Sequence, residues 1–368
     1  MATHRQRTSG AVGAVLFAVA TAAVLLGNGP QRSNGKRSAA QESPDGRIGI
    51  EPGSPSHPSP ARGEGYRRDA LTSPSPLAGE GRGGGTRAEP VPAQAQPTVT
   101  AARRLNRASA MLAFSVLADA GIEHYRGSFE NKAMYAPLAA STLDLAVSAH
   151  GTADARAGAH VVRDVAYGLA MTVGLIGFGF HLYNIGKRPG GFSWLNLFYA
   201  APIAAPGALS LSGILGVYSE RVRDNEPGTP PTVLGLPAGR ALAALTAFGM
   251  VVTIGEVGLL HFRGAYHDPA MFLPVTVPPV AAALLAYAAT RPGWQGRRVI
   301  QWWLRFTALL GIAGVGFHAF GVHRNMGGWS NWSQNLLNGP PLPAPPSFTG
   351  LALAGLAALG LMEDHADA

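Results

Sequence analysis

The sequence predicts an all-α, polytopic membrane helix bundle of two tandem parallel four-helix repeats, with eight core transmembrane helices after an N-terminal signal-like or anchor-like segment. Three observations predict this fold class. Of the 368 residues, 47% are hydrophobic and only 14% are charged, whereas about 25% are charged in ordinary soluble domains. Eight apolar runs approach the roughly 20 residues that a helix needs to cross a bilayer. A motif also occurs twice in the chain, which indicates a repeat.

Composition excludes several classes of protein. The chain has no cysteine, so disulfides, iron–sulfur clusters and thiolate metal sites are excluded. The net charge of +8 comes from arginines in the N-terminal tail and in short segments between apolar runs, a distribution that favours a lipid bilayer as partner and no nucleic acid. Walker, dinucleotide-binding and nucleophile-elbow motifs are all missing from the sequence, so soluble enzyme chemistry has no support.

The first hundred residues differ from the rest. Residues 1–27 have a basic start and an apolar run, as in a signal peptide or a single anchor. Residues 28–100 are rich in Pro, Gly, Ser and Arg with almost no large apolar side chains, which predicts disorder. Within them S-P-A-R-G-E-G recurs as S-P-L-A-G-E-G, which suggests an insertion or a misplaced start codon.

The apolar runs begin after Arg103 and divide into two groups of four. We expect a first repeat over 101–235 and a second over 236–368. An even number of spans in each repeat makes the repeats parallel. The runs cover roughly 108–124, 134–150, 161–185, 195–218, 238–262, 270–290, 299–320 and 346–362.

The repeated motif carries histidine, arginine, glycine, methionine and proline in register. Its copies are Asp119–Leu138 and Glu256–Val275, and the separation of His124 from His261 defines the repeat spacing. At the same spacing G-F-G-F-H, ending at His181, recurs as G-V-G-F-H, ending at His318, and each is followed by a Gly-Gly-aromatic-Ser loop typical of a membrane interface. Two elements at one spacing predict tandem duplication.

Loop charge predicts the orientation. Eleven arginines fall on one side of the predicted bundle and six basic residues on the other, so the first side should be cytoplasmic in a bacterial inner membrane. An uncleaved anchor at 11–27 would place Arg103 outside, so we expect the anchor to be cleaved, not to span, or to lie upstream of the true start.

Ionisable residues inside membrane segments are candidates for function by default. The matched histidines, His124, His181, His261 and His318, each lie near the C-terminal end of a predicted helix. These four helices run in the same direction, so the histidines should share the non-cytoplasmic side. They are the candidate ligands of haem iron.

Glycines on the histidine faces favour a flat ligand. Gly174 and Gly177 precede His181 by seven and four residues, and Gly311 and Gly314 precede His318 in the same way. This spacing places each set on one helix face, where bare backbone could accommodate a macrocycle. Arg126 and Arg263, two residues after the other histidines, are candidate partners of haem propionates.

Two histidines from parallel helices resemble, in arrangement, the ligands of membrane b-type cytochromes. The resemblance implies haem b and an electron-transfer subunit linking a periplasmic dehydrogenase to quinone, with no catalytic residues of its own. The alternative is that the histidines cap helix ends and the glycines serve helix packing.

The matched carboxylates Asp119 and Glu256 leave another alternative open. They could couple a proton or cation to transport, or form ion pairs with Arg126 and Arg263. A non-catalytic membrane scaffold is the third possibility. Asp144, His150 and His160 have no counterpart one repeat spacing further along the chain, so we expect them in loops or at the interface.

Overall fold

The computed structural model describes residues 96–226, 229–291 and 296–363, and these residues are nearly all helical. The predictions for residues 1–27 and 28–95 lie outside them. The α-helices are α1 (Gln96–Arg126), α2 (Ala136–Ala153), α3 (Val161–Gly186), α4 (Trp194–Phe198), α5 (Ala204–Arg223), α6 (Ala238–Arg263), α7 (Leu273–Thr290), α8 (Arg297–His323), α9 (Trp332–Asn338) and α10 (Pro346–Glu363). Short 3-10 turns cover Lys132–Tyr135, Pro269–Phe272 and Gly328–Asn331.

Five helical segments are long and apolar enough to cross a membrane, as in a multi-pass membrane protein. They are α3, α6, α7 with its preceding 3-10 turn, α8 and α10. Large apolar side chains on the outer faces of α6 and α8, such as Phe248 and Trp302, are about two-thirds exposed, as lipid-facing residues would be. The other three predicted spans are helices too, but α1, α2 and α5 do not meet that criterion. They carry serines, threonines and charged residues.

Two predicted boundaries differ from the structure. Helix α1 begins at Gln96, inside the segment predicted to be disordered up to residue 100. The run at 195–218 is not one helix but α4 and α5, separated at 199–203. Pro202 and Pro206 explain the break, because proline lacks the backbone N–H that a continuous helix needs and restricts the residue before it.

Helices α5 and α10 occupy the interior. Helix α5 packs on α1 and α3, while α10 packs on α1, α6 and α8. Small residues permit this close approach: a Cβ at Gly213 would meet the Tyr167 carbonyl at 2.5 Å, and one at Gly355 would meet Leu285 and Leu304 at 2.9 Å.

The connection between the two halves of the chain contains a two-stranded antiparallel hairpin that the sequence did not predict. Strands β1 (Thr232–Val233) and β2 (Leu236–Pro237) pair Val233 with Leu236. Leu234 and Gly235 have positive φ, as the turn of such a hairpin requires. The hairpin ends immediately before α6.

Candidate histidine-pair site

His124 lies in the last turn of α1, and its ring folds over the connection to α2. Its Nδ1 is 2.8 Å from the carbonyl oxygen of Met134. In the second half, Nδ1 of His261 is 2.7 Å from the carbonyl oxygen of Met271. A carbonyl oxygen can only accept, so Nδ1 must carry the proton in both rings. This tautomer leaves the lone pair on Nε2.

The other recurring residues of the motif build the same connection. Phe129 stacks on Tyr135 with ring centroids 4.4 Å apart, and Tyr266 stacks on Phe272 at 4.5 Å. Pro137 occupies the first turn of α2, where a missing N–H costs little. The repeated sequence therefore encodes a helix hairpin held by an aromatic stack and a histidine.

Polar side chains and glycines complete this hairpin. Asn131 and Asp268 each cap the following 3-10 turn by accepting a 2.9 Å hydrogen bond from a backbone N–H. A Cβ at Gly127 would lie 3.1 Å from the methyl carbon of Met134, so glycine lets methionine fold beneath the turn. Methionine and glycine thus recur together for a packing reason.

His181 and His318 lie in the last two turns of α3 and α8. Each donates from Nδ1 to the carbonyl oxygen of a proline in the following connection, Pro202 and Pro341, and both distances are 2.6 Å. All four imidazoles thus have the same protonated nitrogen and are half-buried. No hydrogen bond to any of their Nε2 atoms occurs within the described ranges.

The histidines are close in pairs within each half of the chain. His124 and His181 are near enough to interact electrostatically, and so are His261 and His318. Residues 96–226, 229–291 and 296–363 contain no group of three or more His, Asp or Glu placed to hold a metal ion. Any metal centre built from these four residues would therefore rest on two histidines per half.

The glycine faces next to His181 and His318 are occupied by other helices. A Cβ at Gly174 would lie 2.6 Å from the Pro206 carbonyl and would collide with Ser210, while one at Gly177 would touch the Pro206 ring at 3.4 Å. Helix α5 thus fills the space predicted for a macrocycle.

In the second half, α10 fills the corresponding space. A Cβ at Gly311 would lie 2.8 Å from the Pro345 carbonyl, and one at Gly314 would lie 2.6 Å from Pro345 Cβ. Helix packing accounts for these four glycines, which is the alternative that the sequence left open.

The two motif arginines connect the halves. They form no ion pair with Asp119 or Glu256 within the described residues, but Arg126 is close enough to Asp119, and Arg263 to Glu256, to interact electrostatically. Arg126 forms an ion pair of 2.5 Å with Glu123 and donates to the carbonyl oxygens of Leu336 and Gly339 at 3.4 and 3.3 Å. Arg263 donates to the carbonyl oxygens of Leu197 and Ala200 at 3.2 and 3.3 Å. Each arginine therefore binds the connection that follows the glycine-rich loop of the other half.

Glu256 caps the N-terminus of α5. Its Oε2 accepts a hydrogen bond from the backbone N–H of Ala204, and the N–H of Ile203 also binds the carboxylate. A carboxylate at this position is stabilised by the partial positive charge of the helix N-terminus. Asp119 lies close enough to Glu256 to repel it, so the two matched carboxylates meet between the halves.

Sequence reasoning missed a buried ion cluster at the opposite end of the first half. Arg163 donates from Nε and Nη2 to both oxygens of Glu220, at 2.9 Å each, and from Nη1 to Asp154 at 2.8 Å. Arg223 donates to the carbonyl oxygens of Asp154, Arg156 and Gly151. The available signal was Arg163, a charged residue within the predicted apolar run at 161–185.

Asp154 lies in the connection between α2 and α3, at the edge of this cluster. Burial raises its pKa, but hydrogen bonds from Arg156 and Arg163 outweigh that effect and hold the pKa of Asp154 well below its usual range. Its carboxylate is therefore ionised at neutral pH.

Asp144 corrects a further prediction. The sequence placed it in a loop or at the interface, yet its side chain is completely buried between helices. His150 agrees better with that prediction, since it is exposed in the last turn of α2. His160 precedes α3 as its N-cap residue.

Comparison of the chain with protein-family models, curated proteins and solved structures finds no match.

Proposed function

We propose that this protein is a multi-pass bacterial inner-membrane protein made of two tandem four-helix repeats. Matching contacts support the duplication. Arg103 Nε donates to the Thr152 carbonyl at 2.7 Å, and Arg240 Nε donates to the Ala289 carbonyl at 2.8 Å. The repeat spacing is kept up to the end of α8 and is then slightly longer, from Pro202 to Pro341. A short insertion between the second glycine-rich loop and α10 accounts for the change.

Within this architecture, each repeat binds one haem b through its histidine pair, and the protein transfers electrons. The observation that carries this proposal is the shared hydrogen-bond pattern of the four imidazoles. Histidines that ligate metals almost always donate their other ring N–H to a carbonyl, a carboxylate or water, which fixes the tautomer and the ring orientation. Here that donor is Nδ1 in all four cases, and Nε2 is left for iron.

The position of the histidines suggests the direction of transfer. All four lie at the same end of α1, α3, α6 and α8, away from the ion cluster of Arg163 and Glu220. Under the predicted orientation this end is periplasmic, so the electron donor would be a periplasmic dehydrogenase and the acceptor quinone. Since α5 and α10 cover the glycine faces, the ring would have to lie on another face of each histidine pair.

A second candidate function is proton- or cation-coupled transport, supported by the meeting of Asp119 and Glu256 between the repeats. Two carboxylates held together could share a proton or a cation. The helix cap made by Glu256 supports a structural role for that residue instead, as in a scaffold subunit. Coupled uptake that is lost in Glu256→Gln, with the protein still folded, would favour transport.

Replacing histidine with asparagine or glutamine separates ligation from structure. An asparagine amide places its N–H near the position of imidazole Nδ1, whereas a glutamine amide reaches the position of Nε2. His181→Asn should therefore keep the bond to Pro202 and the thermal stability but lose haem. The measurement is the reduced-minus-oxidised visible spectrum of protein purified from haem-supplied cells.

His323→Asn is the matched control, because His323 is exposed at the end of α8 and is not one of the four. It should leave the spectrum unchanged. A colourless wild-type protein would contradict the haem proposal outright, and an unchanged haem spectrum in His181→Asn would show that His181 is not a ligand.

A further inference from the structure

Asp144 lies in a buried cluster of hydroxyl groups supplied by three helices. Ser109 of α1, Ser148 of α2 and Ser212 of α5 surround its carboxyl group, and all four side chains are completely buried. Ser212 Oγ is 2.7 Å from Asp144 Oδ2, while Ser109 and Ser148 are each 3.1 Å from Oδ1. Asp144 has no ion-pair partner among the described residues.

The cluster has fewer protons to donate than close oxygen–oxygen contacts if Asp144 is ionised. Seven oxygen–oxygen contacts of 2.7–3.2 Å join the four side chains and the carbonyls of Ser109 and Ser212. Each serine hydroxyl has one proton, and an ionised carboxylate only accepts. With Asp144 ionised, at most three of the seven contacts can be hydrogen bonds.

With a proton on Asp144, all four of the shortest contacts can be hydrogen bonds at the same time. Asp144 Oδ2 then donates to Ser212 Oγ at 2.7 Å, and Ser212 donates to the Ser109 carbonyl at 2.8 Å. Ser109 donates to the Ser212 carbonyl at 2.9 Å, and Ser148 donates to Ser109 Oγ at 2.9 Å. Without that proton, Ser212 can satisfy only one of its two short contacts.

Hydrogen bonds alone account for these contacts, since all seven oxygen–oxygen distances lie between 2.7 and 3.2 Å. The described residues also contain no group of three or more His, Asp or Glu placed to hold a metal ion. An isolated ionised carboxylate would also be very costly at a fully buried position. We therefore propose that Asp144 is a buried proton-binding site, independent of the haem proposal.

A polar chain connects this site to the ion cluster rather than to the histidines. The Tyr167 hydroxyl lies 3.4 Å from Ser148 and donates to Asn106 Oδ1 at 2.5 Å. Ser219 also donates to Asn106 Oδ1, at 3.1 Å, and lies 3.4 Å from Glu220 Oε1. All of these side chains are buried.

The polar chain determines how the proton on Asp144 exchanges with solvent. Asn106 Oδ1 accepts from both Tyr167 and Ser219 and has no proton of its own to pass on, so a proton crosses this point only when the side chains rearrange. Tyr167 of α3 is the titratable group next to the site, and Tyr167 in turn interacts electrostatically with Arg163 of α3 and Glu220 of α5. Exchange should therefore be slow and should depend on Tyr167.

Infrared spectroscopy of the full-length protein in detergent tests the site. The wild type should show the C=O stretching band of a neutral carboxylic acid, and Asp144→Asn should remove it. Asp164→Asn is the control, because Asp164 is only partly buried and forms an ion pair with Arg221 at 3.2 Å. If Asp144→Asn does not fold, Ser212→Ala serves instead, because losing the hydroxyl that accepts the proton should shift the same band.

Transfer into D₂O tests the route. Tyr167→Phe should slow the deuterium shift of the Asp144 band, whereas Tyr218→Phe, which removes another buried tyrosine hydroxyl, should not. Equal exchange rates in both variants would overturn the route. A missing neutral-acid band, or thermal stabilisation by Na⁺ over choline that Asp144→Asn abolishes, would overturn the proton site.

Discussion

The two halves of the described chain bury different chemistry at matching helix contacts. In the first half, a Cβ at Gly216 would collide with Tyr167, whose hydroxyl belongs to the polar chain. In the second half, a Cβ at Gly355 would meet Leu285 and Leu304. The same close packing of an inner helix is thus achieved once with a polar core and once with an apolar one.

The same contrast between polar side chains in the first half and apolar ones in the second is found at the matched positions. One repeat spacing after Asn106, Asp144, Arg163 and Tyr167 stand Ala243, Ala281, Ile300 and Leu304, all fully buried. Thr246, the counterpart of Ser109, keeps its hydroxyl but has no hydrogen-bond partner for it among the described residues. The second half therefore shows that this helix arrangement does not need buried charge.

The difference indicates that the polar core of the first half serves something besides packing. Replacing buried ion pairs with apolar residues is often neutral or stabilising, so such pairs are weak grounds for stability. A polar core that is retained at this cost fits a role in binding, such as the proton site at Asp144.

The largest effect should come from breaking the ion cluster on one side only. Glu220→Leu introduces leucine, which the second half has at the counterpart Leu359 once the short insertion before α10 is counted. It leaves Arg163 buried without its main partner, so we expect a loss of about 3–5 kcal/mol in the free energy of unfolding. Thermal and denaturant unfolding in detergent measure it.

The double variant Arg163→Ile with Glu220→Leu is the control. It copies both second-half residues and removes both charges, so it should recover much of the stability lost in Glu220→Leu. If the double variant is less stable than the single one, the first half depends on these charges for folding, and the proposed contrast between the halves is wrong.

The helices were predictable because apolar runs of span length are a strong local signal, but the polar core was not. Its members come from four helices and lie far apart in the chain, as Asn106 and Ser219 do, so no spacing shows that they meet. Asp144 was predicted to lie in a loop or at the interface, because its matched position holds Ala281. The glycine spacing predicted one face, but sequence alone could not show that α5 covers it.

An intermediate effect is expected at the glycine faces, where the halves should differ at one position. Gly174→Ala would force Ser210 and the Pro206 backbone apart, costing about 1–3 kcal/mol as overpacking does. Gly177→Ala should be tolerated, because its Cβ would make an ordinary contact of 3.4 Å with Pro206. Thermal unfolding of the two variants compares them.

In the second half, alanine at Gly314 should destabilise, because its Cβ would lie 2.6 Å from Pro345 Cβ. Gly121→Ala is the control at an open helix position with no neighbouring atom within 4 Å. Equal tolerance at Gly177 and Gly314 would contradict the packing described for α10.

The smallest effect concerns pH and the connection after α2. In the first half Asp154 binds Arg156 and Arg163, whereas the residue one repeat spacing later is Arg291. The folded-state pKa of Asp154 is depressed, so its stabilising contribution is fully present above its unfolded pKa of about 3.9 and is lost as the pH falls through its folded value. Asp154→Asn should therefore lower the melting temperature most at neutral pH, and the difference from wild type should shrink as the pH falls below about 4.

Glu226→Gln, which removes an exposed carboxylate near the same end, should change the melting temperature little at any pH. A difference between Asp154→Asn and wild type that stays constant down to the acid limit would show that the carboxylate does not stabilise the cluster through its charge.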